Sequence, residues 1–215
     1  MRKNILLVEG PNDKSVILGL LQKNDVIISD FEIVVCGGID NLPPQLELYL
    51  KNGTAYKRIG VVVDADISAE ARWQQLKDRL MKTGKYDCKK MPLNSEGMIV
   101  APQESEDAKV GIWIMPDNQY QGALEDFLLK MIPQDDEILE EVERELAHLE
   151  AERIKRYKDK DRNKAMIYTY LSWEKNPGCS LNTAIVSYVL NPKTALADTF
   201  VKWIKGLFLC EEEQY

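Results

Sequence analysis

The chain has 215 residues, and 28 Lys and Arg against 35 Asp and Glu give a formal net charge of −7. A hydrophobic share of 45% and a charged share of 29% are those of a folded globular protein with a sizeable core, and they exclude a disordered, collagenous or disulfide-scaffold chain. The acidic balance argues against a broad electrostatic grip on nucleic acid and leaves room only for a local basic groove.

No apolar run approaches the ~20 residues of a membrane span, and the opening segment reaches Glu9 and Gly10 too early for a secretory signal. The cysteines, Cys36, Cys88, Cys179 and Cys210, are widely spaced without a CxxC pair. They read as free thiols rather than as a zinc site or a disulfide frame. A cytoplasmic, membrane-free protein is expected.

In chain order, residues 4–8 form a continuous apolar strand, and residues 13–21 follow with helical spacing through Val16, Ile17, Leu20 and Leu21. Residues 31–36 are a second strand. Gly37 and Gly38 make a turn, and residues 41–50 read as a helix with Pro43 in its first turn. Residues 58–63 are a third apolar strand, and Ser68 caps a helix running to Met81. A loop-rich stretch, 84–107, has room for a short strand at 98–100 before another apolar strand at 110–115. Near-continuous apolar strands separated by helices predict an open, mainly parallel α/β sheet with helices on both faces.

From Gln121 the pattern is helical only. Residues 135–152 hold nine acids and one base, Arg144, and residues 153–164 hold seven bases and two acids. Ile138, Val142, Leu146 and Leu149 recur at helical spacing, and acids early with bases late suit one dipole-matched amphipathic helix. His148 is expected on its solvent face. Pro177-Gly178 breaks the pattern, and residues 181–190 and 194–208 are two last helices. Trp173, Tyr188, Trp203 and Phe208 read as core; the alternative for Trp203 and Leu207 is a surface on which two copies pair. The division expected is an α/β domain at 1–132 and a helical extension, 133–215, packed on it.

Acids at the tips of apolar strands are the sharpest local feature. Glu9 ends the first strand, and Asp64 and Asp66 end the third. In open α/β sheets the ligand crevice lies beyond the carboxyl ends of the strands. Residues two apart in a strand share a face, so Asp64 and Asp66 point the same way if the extended conformation persists. Should the first and third strands be neighbours, three carboxylates converge, and a hard divalent cation is the natural counter-charge.

Val8-Glu9-Gly10-Pro11-Asn12-Asp13, then Gly37-Gly38, then Val63-Asp64-Ala65-Asp66, together resemble the Toprim (topoisomerase–primase) domain. The likeness spans about residues 1–130. Gly122-Ala123-Leu124-Glu125-Asp126 after the 110–115 strand resembles the acidic segment of OLD-type (overcoming lysogenization defect) nucleases and of small stand-alone bacterial Toprim-like proteins. The resemblance implies Mg²⁺ or Mn²⁺ held by Asp64 and Asp66, with Glu9 as ligand or proton carrier. A second ion would sit near Glu125 or Asp126, and Lys164 would assist the phosphate. Gly10, Asp13, Lys14, Gly37, Gly38 and Arg162 would lie along the substrate.

The sequence lacks a topoisomerase tyrosine setting, a primase's zinc cysteines and a Gly-x-x-x-x-Gly-Lys-Ser/Thr loop, so any ATPase would be a separate chain. The reading is a divalent-metal-dependent phosphodiester hydrolase acting on DNA or RNA. The alternatives are a non-catalytic nucleic-acid or nucleotide-binding module working with a separate ATPase, and an RNA-processing ribonuclease. Self-association is left open.

Overall fold

The computed structural model describes residues 2–26 and 28–209; Cys210 lies outside them. Five strands form one sheet: β1 (Lys3–Val8), β2 (Glu32–Val35), β3 (Tyr56–Asp64), β4 (Met98–Val100) and β5 (Lys109–Met115). Their order is β2-β1-β3-β5-β4, parallel except for the β4–β5 pair. β1, β3 and β5 are buried along almost their whole length. This is why their sequences are unbroken apolar runs rather than alternating ones.

The two faces divide the strand residues by parity. Ile5, Leu7, Val61, Val63, Ile112 and Ile114 face α2 (Leu42–Lys51) and α3 (Ala69–Lys82). Leu6, Val8, Val62, Trp113 and Met115 face α1 (Pro11–Lys23) and the later helices α4 (Leu124–Leu129), α5 (Glu137–Ala151), α6 (Arg162–Trp173), α7 (Leu181–Val186) and α8 (Ala195–Phe208). The molecule is therefore helix–sheet–helix in three layers. On the second face one apolar cluster runs without interruption from the strands into the helices after residue 133.

Two glycines set how closely α8 approaches the sheet. Gly60 and Gly111 are cross-strand partners on β3 and β5. A Cβ on Gly60 would meet Leu6 at 2.6 Å and Phe208 at 2.9 Å, and one on Gly111 would meet Leu207 at 2.4 Å. The missing side chains make the trough that receives Leu207 and Phe208.

The strand and helix expectations over 4–115 hold to within a few residues, including the Ser68 cap, whose Oγ accepts from the Ala71 amide at 3.1 Å. Three expectations after residue 121 do not hold. The acidic helix and the basic run are not one helix. Arg153 takes a left-handed φ of 58°, and the Ile154 amide closes back on the Leu149 carbonyl at 3.0 Å and the Arg153 amide on Glu150 at 3.2 Å. This is a Schellman stop, which puts the bases up to Lys160 between α5 and α6 and leaves Arg162 and Lys164 in the first turn of α6. The 181–190 helix stops at Val186 because Tyr188 is left-handed (φ 64°) and the Leu190 amide turns back to Ala184.

Trp203 and Phe208 are core, but Trp173 and Tyr188 are exposed. Trp173 ends α6, and the Tyr188 ring lies under Lys23 Nζ. The burial of Trp203 and Leu207 removes them as a pairing surface. His148 is exposed, as expected. Cys36, Cys88 and Cys179 are free thiols, and burial pushes Cys36 up to about 11. Among the described residues no helix is long and apolar enough to cross a membrane.

Candidate functional site

The strand order contains one switch point. From β1 the chain crosses to β2 on one side, then returns to β3 on the other. The crevice that such a reversal opens lies beyond the carboxyl ends of β1 and β3. Glu9 and Asp64 sit there.

Glu9 follows β1 directly. Its carbonyl accepts the amides of both Gly37 and Gly38 at 2.9 Å, a grip that needs φ of +80° and +112° at those residues and hence glycine. The Glu9 carboxylate reaches across to β3, where Oε1 accepts the Asp64 amide at 2.8 Å. The two strand tips expected to be neighbours are thus joined by a direct hydrogen bond. Gly10 precedes Pro11 at the start of α1, and its amide donates to Asp13 Oδ2 at 2.9 Å. Asp13 is 6% exposed.

Asp64 Oδ1 accepts the Leu124 amide at 3.0 Å, tying β3 to the start of α4. Beyond Asp64 the strand does not persist. Asp66 is left-handed, with φ of 54°, and its backbone pairs with Gly122, each amide donating to the other's carbonyl at 2.9 Å. The extended conformation on which a shared direction for Asp64 and Asp66 depended is thus interrupted at Asp66. Asp66 Oδ2 pairs with Arg72 Nη2 at 2.6 Å. The same guanidinium donates through Nε to the Asp64 carbonyl at 2.9 Å.

The acids repel one another. Burial, then the charges of Glu9, Asp13, Glu125 and Asp66, push the Asp64 carboxyl from its ordinary 3.8 up to about 8. Burial chiefly raises Asp13 to about 6, against the stabilising Gly10 amide and with help from Glu125. Glu9 is raised by burial, against the hydrogen bond from the Asp64 amide, with Asp13 and Asp66 adding to the rise. A cluster of this kind is costly without a counter-charge.

A cleft of about 580 Å³ opens beside it. Asp64, Asp66, Glu125 and Asp126 line the cleft together with Lys160 and Asp161, just before α6, and Asn163 and Lys164 in its first turn. Lys164 Nζ lies 3.8 Å from Glu125 Oε1. Asp126 spends both oxygens inside the protein, Oδ2 on the Ala123 amide at 2.9 Å and Oδ1 on Asn163 Nδ2 at 2.7 Å. Among the described residues no three acids, histidines or cysteines stand in an arrangement that holds a metal ion. Glu9 Oε1 is turned to a backbone amide, Asp66 to Arg72, and Asp126 to Ala123 and Asn163.

The expected substrate residues divide. Gly10, Gly37 and Gly38 shape the backbone around Glu9, with their amides already engaged. Asp13 belongs to the acidic cluster rather than to the cleft wall, and Lys14 is half-buried on α1. Arg162 turns away to Glu150, with Nε 3.0 Å from Oε1, and does not line the cleft.

Residues 3–209 match the DUF3226 family, described as a protein of unknown function. The chain belongs to the DUF3226 family. No curated protein matches the sequence. Among solved structures, the crystal structure of a hypothetical protein from Pyrococcus horikoshii OT3 is similar over 96% of this chain and 95% of that one. Its TM-score is 0.52 at 16% identity, a likeness of fold alone.

In this DUF3226 protein two site residues carry little sequence signal. Arg72 lies within the first turn of α3 and reads as a helix-surface base. Its role depends on the left-handed turn at Asp66, which periodicity does not disclose. Asn163, the partner of Asp126, stands in a basic run where an amide draws no notice.

Proposed function

We propose that this DUF3226 protein is a divalent-metal-dependent phosphodiester hydrolase of Toprim type acting on DNA or RNA. The observation that carries the reading is the meeting of Glu9, Asp13, Asp64 and Glu125 at the switch point of a parallel sheet. Burial, and then the charges of its neighbours, raise Asp64 to about 8, beside a cleft that Lys160, Asn163 and Lys164 also line. The Glu9-Gly10 and Asp64-Ala65-Asp66 resemblance described above supports it.

The donor set fits a hard cation: all candidates are carboxylate oxygens, and their mutual repulsion is what a cation relieves. Asp64 and Asp66 would hold Mg²⁺ or Mn²⁺, and Glu125 would serve a second ion; Asp126 is better read as the support of α4, and Glu9 as the proton carrier rather than a ligand. Such ions supply charge neutralisation at the phosphoryl oxygens. The chain's own residues do the rest. Lys160 and Lys164, which line the same cleft, attract and orient the phosphate. Glu9, raised by burial and held through one oxygen, keeps its second oxygen for a proton from the attacking water. Asn163 fixes Asp126, and with it the position of Glu125.

Incubating the pure protein with plasmid, single-stranded DNA and RNA in Mg²⁺ or Mn²⁺ tests this. Cleavage is expected, falling by roughly 100-fold or more in Asp64→Ala. No cleavage by the wild type, or equal cleavage by the variant, overturns the reading. One observation favours a second reading, a non-catalytic binding module that works with a separate ATPase: the acids are largely engaged within the chain. Its signature is a rise in Tm with divalent cations and no cleavage.

A further inference from the structure

Arg72 is bonded directly to both Asp64 and Asp66, and its geometry is specific. Its side chain is 13% exposed. Nε donates to the Asp64 carbonyl at 2.9 Å, Nη2 to Asp66 Oδ2 at 2.6 Å, and Nη1 to Gln75 Oε1 at 2.8 Å. The first two bonds span the backbone of one acid and the carboxylate of the other. A planar guanidinium fork does this and a point-charge ammonium does not. The Asp66 backbone is pinned to Gly122 by two hydrogen bonds of 2.9 Å, so its carboxylate can leave Arg72 only by side-chain rotation. The Asp66 side chain is 56% exposed, so that rotation is unobstructed on its outer side.

We propose that Arg72 is a positioning residue that holds Asp66 in reserve, so that a divalent cation must take Asp66 from the guanidinium before it gains this ligand. The proposal rests on the reading of the acids as a metal site. It accounts for why Asp66, which lines the same cleft as Asp64, is engaged by a guanidinium. Removing the fork then strengthens cation binding, because the competing bond no longer has to be broken. It does so even when positive charge is kept at residue 72, since a lysine cannot hold the Asp64 carbonyl and Asp66 together.

The test is calorimetric titration of the full chain with Mn²⁺, with melting in EDTA to establish that each variant is folded. Arg72→Lys and Arg72→Gln are both expected to bind Mn²⁺ roughly fivefold tighter than the wild type or more, as losing a competing ion pair implies. Asp66→Asn is expected to bind it about tenfold more weakly. If Arg72→Lys keeps wild-type affinity while Arg72→Gln tightens, Arg72 acts through net charge and the proposal fails. It fails also if both Arg72 variants bind more weakly. Wild-type binding that is unchanged in both overturns the latch alone, whereas no Mn²⁺ binding by any chain overturns the latch and the metal reading together.

Discussion

Asp64 carries the largest electrostatic tension at the strand tips. Its ordinary value is 3.8 and burial among Glu9, Asp13, Glu125 and Asp66 raises it to about 8. Between those values the folded chain keeps a proton that the unfolded chain gives up. The contribution of Asp64 to stability is therefore full below about pH 4 and is lost as pH rises toward about 8. Asp13, raised to about 6, adds to the same loss over a lower window. Asn at residue 64 does not titrate and still accepts the Leu124 amide. In EDTA, the Tm of Asp64→Asn is expected to exceed that of the wild type by a margin that grows from about pH 5 to pH 8. It should reach roughly 2–6 °C, at 2–4 °C per kcal/mol for a chain of this size. A margin that stays flat across this range contradicts the shift. At the residue scale Glu9 and Asp64 were legible because each ends an apolar run, whereas Asp13 and Glu125 stood out only through the family resemblance. The acids' partners, Arg72 and Asn163, were not legible, since a base or an amide on a polar helix face has many uses.

Among the secondary elements, the turn after β3 decides how the acids are presented. Gly122 has φ of +137°, and a Cβ there would lie 2.8 Å from Asp126 Cγ. Asp126 in turn caps α4, whose first amide holds Asp64. Gly122→Ala therefore combines backbone strain with displacement of the cap. It is expected to cost roughly 2–3 kcal/mol, read as a lower denaturation midpoint at unchanged slope. A change under about 0.5 kcal/mol would show that α4 tolerates the shift. Strands at 4–8, 58–63 and 110–115 were legible because burial on both faces leaves an unbroken apolar run. The end of α5 was not legible. Arg153 is neither Gly nor Asn, and nothing in its type announces the left-handed conformation that separates the acidic helix from the bases. Asp66 is of a type that tolerates the left-handed region, but the run Val63-Asp64-Ala65-Asp66 reads as extended, and only the structure shows the turn.

At the scale of the whole molecule, the later helices share their core with the sheet. Leu207 is fully buried in the trough over Gly60 and Gly111, and Trp113, Phe200 and Trp203 pack ring against ring beneath it. Leu207→Ala is expected to cost roughly 2–5 kcal/mol. Chemical denaturation should show one transition shifted as a unit, whereas a sheet domain that melts at its former midpoint would show that the helices form a separate cooperative body. The paired glycines were visible in the sequence as Gly60 and Gly111, but only the register that sets them side by side gives them meaning.

That trough also orders events during synthesis. Both glycines emerge from the ribosome well before residues 195–208, so the sheet face they lie on stays open until α8 has been made. Until the last helix arrives, Leu6, Val62 and Trp113 lack their final cover, and the nascent chain presents an apolar slot that chaperones or neighbouring chains can occupy in its place.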